Sequence, residues 1–373
     1  MQTKHILMGI VSVLIVILSV LMIVVLQNDR ELFEVGESPT VLENCKSIGS
    51  ISTGINLLFF ADEATTQEYA DYFFSSSPFD KHLDNFNIFY IEPSDYDPEC
   101  ELYKGAALFC DSKELIKKAA SCPNDYLIVL EDHPEVIRSS SYKQVISIVT
   151  AHPKEVLLHE IGHALAGFAE EYVDNNAKVP RGSENCKKSC EDFGTESCSL
   201  GCTKSDLYRF IPEGVMRTLN TGNFGSYNEN LINERVEDEL KTSSFFTGNV
   251  VSEISEECLN QEYYLIGIES GEIVSVIEEI GCAGTPGHGS NNVQIKTADG
   301  IISSESFSNE IIFTARPGNE NEIDGVQYDS KDLLTYLKVP KIDDAELIQI
   351  VNFDGEVTGS FPVESVGYYP VKQ

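Results

Sequence analysis

The segment HEIGHALAGFAEEY, residues 159 to 172, gathers residue types that bind metal ions and move protons. His159 and His163 are four residues apart, so on a helix their imidazoles lie on one face and can converge on one ion. Glu160 lies beside the first histidine, where it can take a proton from a metal-activated water as a general base. The spacing predicts a catalytic site for one Zn²⁺ ion.

A catalytic zinc needs a third protein ligand and an open fourth position. Gly167 is expected to end the helix, because glycine adopts the left-handed backbone conformation without steric cost. The chain then turns back toward the metal with two carboxylates, Glu170 and Glu171, as candidates for the third ligand. The cysteine-rich stretch that follows offers three further candidates: Glu184, Glu191 and Glu196.

Two other features bear on the geometry of this site. The segment Gly214-Val215-Met216-Arg217 follows the predicted helix, and it can form a turn that places Met216 as a floor beneath the zinc. Tyr172 comes directly after the candidate carboxylates and is expected to orient a neighbouring group or the substrate.

This pattern resembles the signature of the IgA-peptidase-like zinc metallopeptidases, which is HExxH, a glycine and then an Asp-Glu-Tyr triplet. Glu170 stands where that family has aspartate, and Gly214 replaces the cysteine of its Cys-Ile-Met-Arg segment. The resemblance covers roughly residues 52 to 240, including the segments NLLFFAD, PFDKHLDNFNIFYI, DYLIVL and GVMR. It implies that His159, His163 and Glu170 bind zinc, with Glu171 as the alternative third ligand, and that Glu160 is the base.

The elements that must position this motif follow from the apolar pattern. Short apolar runs predict strands at residues 55–60, 86–91, 126–130 and 144–150, and helices are expected over 65–74 and 153–166. These segments suggest a layered α/β sheet. The resemblance implies that this sheet belongs to a metzincin-like peptidase domain, residues 51–245. From residue 255 onward, short β-type runs separated by turn residues predict an all-β sandwich, residues 255–373. The fold class is therefore expected to be α+β.

Residues 6–26 contain no charge and no proline, and as a helix they would span about 32 Å, the thickness of a bilayer's hydrocarbon core. Lys4 precedes this segment and acidic residues follow it, so residues 1–5 are expected to be a cytoplasmic tail. The later domains would then lie outside the cell membrane on a stalk, residues 27–50. The alternative is a signal peptide that is cleaved to release a secreted protein.

Ten cysteines follow the apolar segment, and an even number in an exported chain predicts disulfide bonds. Cys258 and Cys282 flank two predicted strands and could join them. The cluster Cys186, Cys190, Cys198 and Cys202 has a second interpretation as a four-thiolate zinc site.

The net charge of −34 repels phosphate backbones and argues against nucleic-acid binding. The sequence thus predicts a membrane-anchored zinc endopeptidase whose partner is a protein or peptide substrate. The alternative is a surface adhesion or binding protein with a structural or vestigial metal site, which the C-terminal β region motivates.

Overall fold

The computed structural model describes residues 44–219, 221–246, 258–283, 289, 291–307, 311–318, 322–330 and 333–366. The expected cytoplasmic tail, membrane anchor and most of the stalk lie outside these residues. Within the described part of the chain, no helix combines the length and apolar character needed to cross a bilayer. All described residues belong to one compact unit.

Four helices and twenty strands make up the described part of the chain. The elements up to residue 166 are β1 (Lys46–Ile48), β2 (Ile55–Phe60), α1 (Glu63–Ser75), β3 (Phe86–Ile91), β4 (Glu101–Tyr103), β5 (Ala107–Phe109), α2 (Lys113–Ala119), β6 (Tyr126–Glu131), β7 (Ser139–Tyr142), β8 (Val145–Val149) and α3 (Glu155–Ala166). The next group comprises β9 (Ser199–Cys202), β10 (Lys204–Arg209), α4 (Ser226–Phe246), β11 (Glu262–Glu269), β12 (Glu272–Ile280), β13 (Asn291–Thr297) and β14 (Gly300–Phe307). The last strands are β15 (Ile311–Pro317), β16 (Ile323–Gly325), β17 (Tyr328–Asp329), β18 (Leu334–Pro340), β19 (Leu347–Val351) and β20 (Val357–Pro362).

A nine-stranded sheet with the order β1-β3-β2-β6-β8-β7-β15-β16, and β17 paired with β15, forms the centre of the fold. Strands β3, β2, β6 and β8 are parallel, and they are the four strands that the apolar runs predict. Parallel strands read as continuous apolar runs because both faces of their sheet are buried. The mixed α+β class is confirmed by this arrangement.

The two faces of the central sheet have different coverings. Leu57 and Phe59 of β2 point to the face that packs against α1, α3 and α4. Leu58 and Phe60 alternate to the opposite face, which packs against α2 and β11. This alternation is the two-residue period of a strand, and it places the helix carrying the histidines in the apolar layer on one face.

The C-terminal region contains two antiparallel sheets, β12-β11-β18 and β14-β13-β19-β20. Their facing side chains, among them Ile266, Leu337, Val293 and Ile350, share one apolar cluster, as in a sandwich. However, the prediction that every strand after residue 255 belongs to this sandwich is wrong. Strand β15 pairs antiparallel with β7 and so joins the central sheet, because β7 offers it an unpaired edge.

The predicted stalk, residues 27–50, also extends too far. Lys46–Ile48 pairs with β3 at one edge of the central sheet, and Cys45 forms a disulfide with Cys122. The segment has no strand pattern of its own, since Lys46 and Ser47 are exposed and only Ile48 packs against the core.

All ten cysteines lie in five disulfide pairs: Cys45–Cys122, Cys100–Cys110, Cys186–Cys202, Cys190–Cys198 and Cys258–Cys282. The pairing agrees with the expected disulfides and with the link between the strands β11 and β12. It leaves no thiolate for the alternative four-cysteine zinc site.

Candidate metal centre

Helix α3 presents its histidines because of how it packs and where it ends. Val156, Leu157 and Leu165 are buried against the central sheet. Gly167 then adopts φ 62°, the left-handed conformation that ends the helix, as its position predicts. The N–H groups of Gly167 and Phe168 donate to carbonyls of the last turn, both at 3.1 Å, so the chain reverses immediately after His163.

Two backbone carbonyls fix the orientation of both imidazoles. Nδ1 of His159 donates to the carbonyl of Val215 at 3.0 Å, and Nδ1 of His163 donates to the carbonyl of Phe168 at 2.8 Å. A carbonyl can only accept a hydrogen bond, so the proton of each neutral ring lies on Nδ1 and the lone pair on Nε2. The two Nε2 atoms face each other at 3.1 Å. Both rings therefore offer metal-binding nitrogens to the same point.

Glu170 completes the centre. Its Oε1 lies 3.2 Å from Nε2 of His163, and its Oε2 lies 3.4 Å from Nε2 of His159. The three potential ligand atoms all lie within 4.8 Å of one another, and all three residues are buried. Both carboxylate oxygens of Glu170 are buried, and in the described part of the chain no partner reaches them with good hydrogen-bond geometry, although the two imidazoles and the phenol of Tyr172 lie close to them. A buried His–His–Glu group with unsatisfied donor atoms suits a divalent cation, and this group could hold one.

The protonation of the centre reflects this close approach. Burial would raise the pKa of Glu170, but the interactions of its carboxylate with the imidazoles of His163 and His159 lower it to about 2. Burial would lower the pKa of His159, but the carboxylate of Glu170 raises it to about 9. Burial lowers the pKa of His163, which favours its neutral ring. A proton on His159 thus balances Glu170, and a bound cation would replace that proton.

Glu160 lies beside the centre and is fully buried. Burial raises the pKa of its carboxyl to about 8, the charge of His159 opposes this shift, and the charge of Glu170 reinforces it. The backbone amide of Ala315 favours the ionised form. A carboxyl with this pKa can both accept and return a proton near neutral pH.

Glu171, the alternative third ligand, points elsewhere. Its Oε1 accepts hydrogen bonds from Nδ2 of Asn228 at 2.7 Å and from Nδ2 of Asn185 at 3.2 Å. Burial raises the pKa of its carboxyl to about 7, although both amides oppose this shift. The three other candidate ligands are exposed and do not reach the metal centre: Glu184, Glu191 and Glu196.

A disulfide-bonded segment holds the residues around Glu170 in place. The side-chain amide of Asn185 accepts from the N–H of Ala169 at 2.8 Å and donates to its carbonyl at 2.9 Å. The hydroxyl of Thr203 donates to the carbonyl of Glu170 at 2.7 Å. The Cys186–Cys202 disulfide packs against Ala169. The cysteine-rich segment therefore contributes none of the three candidate ligands, but it positions the backbone of Glu170.

The expected methionine turn lies against the helix. The carbonyl of Gly214 accepts from the N–H groups of Arg217 and Thr218, both at 2.8 Å, and Met216 is completely buried. A Cβ atom added to Gly162 would lie 2.5 Å from Sδ of Met216. The glycine between the two histidines is thus what allows the turn to approach them closely.

Tyr172 lies close to Glu170 of the metal centre. Burial and the charge of Glu170 raise the pKa of its phenol well above the ordinary value. Its hydroxyl would lie 2.0 Å from a Cβ atom at Gly325, so strand β16 can pass over it only because that residue is glycine.

Sequence reasoning missed the residues that lie over the centre and those that hold its neighbours. The ring of Phe313 stacks on His163, and the amides of Asn185 and Asn228 hold Glu171. No local pattern marks these residues, because the chain brings them from more than ten residues away. Asn185 and Asn228 lie in polar segments, and asparagines in polar segments are too common to indicate that these two bind Glu171.

The fold and the site define a mixed α/β protein with a buried His–His–Glu centre built on an HExxH helix. No protein-family model matches this chain, and a search of curated proteins finds no match.

Proposed function

We propose that the chain is a zinc-dependent endopeptidase of metzincin-like architecture, related to the IgA-peptidase-like metallopeptidases. The observation that carries the proposal is the convergence of Nε2 of His159, Nε2 of His163 and the carboxylate of Glu170, with Glu160 alongside. His159, Glu160 and His163 form the HExxH motif, and Glu170 is the acidic residue that follows it. A purely structural site would have no need of the adjacent buried carboxyl.

Zinc is the proposed ion, because two imidazoles and one carboxylate form a donor set of catalytic zinc sites. A bound zinc would act as a Lewis acid toward a substrate carbonyl and a water molecule. The carbonyls of Val215 and Phe168 would keep the imidazoles oriented toward it.

Glu160 would move the protons. Its buried carboxyl can take one proton from the attacking water and deliver it to the amine that leaves when the peptide bond breaks. Tyr172 has a protonated phenol at neutral pH and could donate a hydrogen bond to the substrate. Glu171 would stabilise the site from outside through its contacts with helix α4.

We place this activity outside the cell membrane, with residues 6–26 as a single-pass anchor and a protein or peptide as the substrate. The five disulfides fit an oxidising compartment. Secretion after signal cleavage is the alternative. Detergent extraction and N-terminal sequencing of the mature protein distinguish the anchored protein from the secreted one, because only the anchored protein retains residues 6–26.

The decisive test of the activity is Glu160→Gln in the zinc-loaded protein, with casein or a peptide library as substrate. We expect the variant to keep about one zinc per chain and to lose at least about a hundredfold in cleavage rate. Glu155→Gln, in the first turn of the same helix, is the matched control and should cleave normally. Full activity of Glu160→Gln would remove that residue from the mechanism.

The second candidate is a surface-binding protein in which the metal is structural. The complete burial of the His–His–Glu centre favours it, because a structural site needs no access. Its signature would be tightly bound zinc and no cleavage of any peptide in a broad library under conditions that open the centre.

A further inference from the structure

The groups proposed to do the chemistry are closed off from solvent. His159, Glu160 and Glu170 have no exposed surface, and His163 is only 5% exposed. A peptide bond must approach a catalytic metal and its base to within contact distance. In the arrangement described, a polypeptide substrate cannot reach the centre, so some part of the structure must move before cleavage.

The covering elements are β15 and β16, which we call the covering strands. Strand β15 runs antiparallel to β7, with Phe313 opposite Ser141, Thr314 opposite Ser140 and Ala315 opposite Ser139. Without β15, strand β7 would be the edge of the central sheet beside helix α3. An extended peptide can bind such an edge by backbone hydrogen bonds, and here the chain's own strand occupies it.

Strand β15 also contacts the chemical groups themselves. The ring of Phe313 lies parallel to that of His163, with centroids 3.8 Å apart and an angle of 10° between the planes. Two residues later, Ala315 is completely buried and belongs to the apolar cluster that contains helix α3. The strand therefore lies where the substrate backbone would have to lie.

Strand β16 lies against Tyr172. Gly325 lies against the hydroxyl of Tyr172, and the absence of a side chain at this position makes the contact possible. Ala315 and Ile323 of the covering strands join the apolar cluster that contains helix α3. The covering strands therefore contact two residues of the metal centre and its surroundings directly: His163 and Tyr172.

A small charged cluster holds the outer end of the covering strands. Both carboxylate oxygens of Asp324 are bound: Oδ1 by Nη2 of Arg138 at 2.9 Å, and Oδ2 by Nη2 and Nε of Arg316 at 2.6 and 2.8 Å. Arg316 also donates to the carbonyl of Val136 at 3.0 Å. These bonds join β15, β16 and the segment that leads into β7.

The attachment is non-covalent. None of the five disulfides involves the covering strands, whereas the cysteine-rich segment beside Glu170 is cross-linked twice. The covering strands are held by three paired residues on β7, one ring stack, one charged cluster and the buried apolar contacts of Ile312, Ala315 and Ile323. All of these contacts can break and re-form without chemical change.

We propose that the covering strands are a displaceable, autoinhibitory cover: they occupy the substrate edge in the closed state and must leave it for the metal centre to become accessible. The regulatory meaning of this cover rests on the proposed peptidase function. The occupant it imitates is an extended peptide with an aromatic side chain at the position of Phe313.

The test compares full-length wild-type protein in detergent with Asp324→Asn and Phe313→Ala. Asp343→Asn, an exposed carboxylate in the loop after β18, is the matched control. Each protein is loaded with zinc, and two rates are measured: metal transfer to a chromophoric chelator and cleavage of casein. We expect metal transfer to be about tenfold faster in both variants, since each loses a contact that favours the closed state, and unchanged in Asp343→Asn.

The cleavage rates test the proposed cover and the proposed peptidase function independently of each other. Faster metal transfer together with faster cleavage, the latter abolished by adding Glu160→Gln, supports both. Faster metal transfer without cleavage by any variant supports the cover and contradicts the peptidase. Equal metal transfer and equal cleavage in wild type and Asp324→Asn overturn the cover while leaving the peptidase intact. Asp324→Asn changes only a partly exposed side chain, so the test stands even if Phe313→Ala misfolds.

Discussion

Gly162 lies between the two histidines on the face of helix α3 that meets the methionine turn, and its replacement by alanine tests the packing there. In an ordinary helix, alanine is about 1 kcal/mol more favourable than glycine. Here the new methyl group would lie 2.5 Å from Sδ of Met216 and 3.0 Å from Cε1 of Phe224. Both neighbours are buried, so neither side chain can move into solvent.

Inserting a methyl group into such a packed site costs about 1–3 kcal/mol. The helix preference offsets part of this cost, so we expect a net loss of about 1 kcal/mol. The effect on metal binding should be larger. Displacing Met216 also shifts the neighbouring carbonyl of Val215, which orients His159, and losing such a supporting bond typically lowers metal affinity about 10- to 100-fold.

The assay is a double-mutant cycle of Gly162→Ala and Met216→Ala, measured by thermal unfolding and by zinc competition with a chelator. Met216→Ala alone should be destabilising by about 2–5 kcal/mol, because it leaves a cavity. In the double variant the alanine methyl partly fills that cavity, so the combined loss should be smaller than the sum of the two single losses. A Gly162→Ala protein that is more stable than wild type and binds zinc equally well would refute the close approach.

Three further predictions concern the two candidate carboxylates, the Cys186–Cys202 disulfide and the buried Lys338. Glu170→Ala should lose the metal, whereas Glu171→Gln should keep about one ion per chain and lose only stability; metal analysis by mass spectrometry distinguishes them. Replacing Cys186 and Cys202 by alanine should destabilise the protein by about 2–4 kcal/mol and weaken zinc binding, and thermal unfolding with a chelator titration measures both. Burial lowers the pKa of Lys338 from 10.5 to about 7. Between these two pH values the lysine is protonated in the unfolded chain but neutral in the folded protein. The free energy of unfolding should therefore increase as the pH rises through this range. Lys338→Met should lack this rise in melting temperature, and an identical profile in the two proteins would disprove the shift.

Local sequence patterns predicted the parts of the fold that depend on neighbouring residues. The helix around His159 ends at Gly167 because a left-handed residue is needed there, and the apolar runs of β2 and β6 are buried because parallel strands have no solvent face. Spacing alone did not distinguish Glu170 from Glu171, since both follow the same turn, and only the family resemblance favoured Glu170. The structure distinguishes the two residues, because the side-chain amides of Asn185 and Asn228 bind the carboxylate of Glu171.

Other features depended on contacts that no local pattern records. Strand β7 is a run of buried serines and a tyrosine, so it carries little apolar signal. Strand β15 has the same apolar pattern as the strands of the sandwich, and its sequence does not specify which sheet edge it joins. The cover over the metal centre was therefore invisible until the pairing of β15 with Ser139–Tyr142 was known.

The central claim is that one divalent ion binds where His159, His163 and Glu170 meet. An anomalous difference map from a crystal of the zinc-loaded protein, collected at the zinc absorption edge, tests it directly. We predict a single strong peak about 2.0–2.2 Å from both Nε2 atoms and from a carboxylate oxygen of Glu170. A map with no peak at that point, or with its peak at Glu171 instead, would contradict the account.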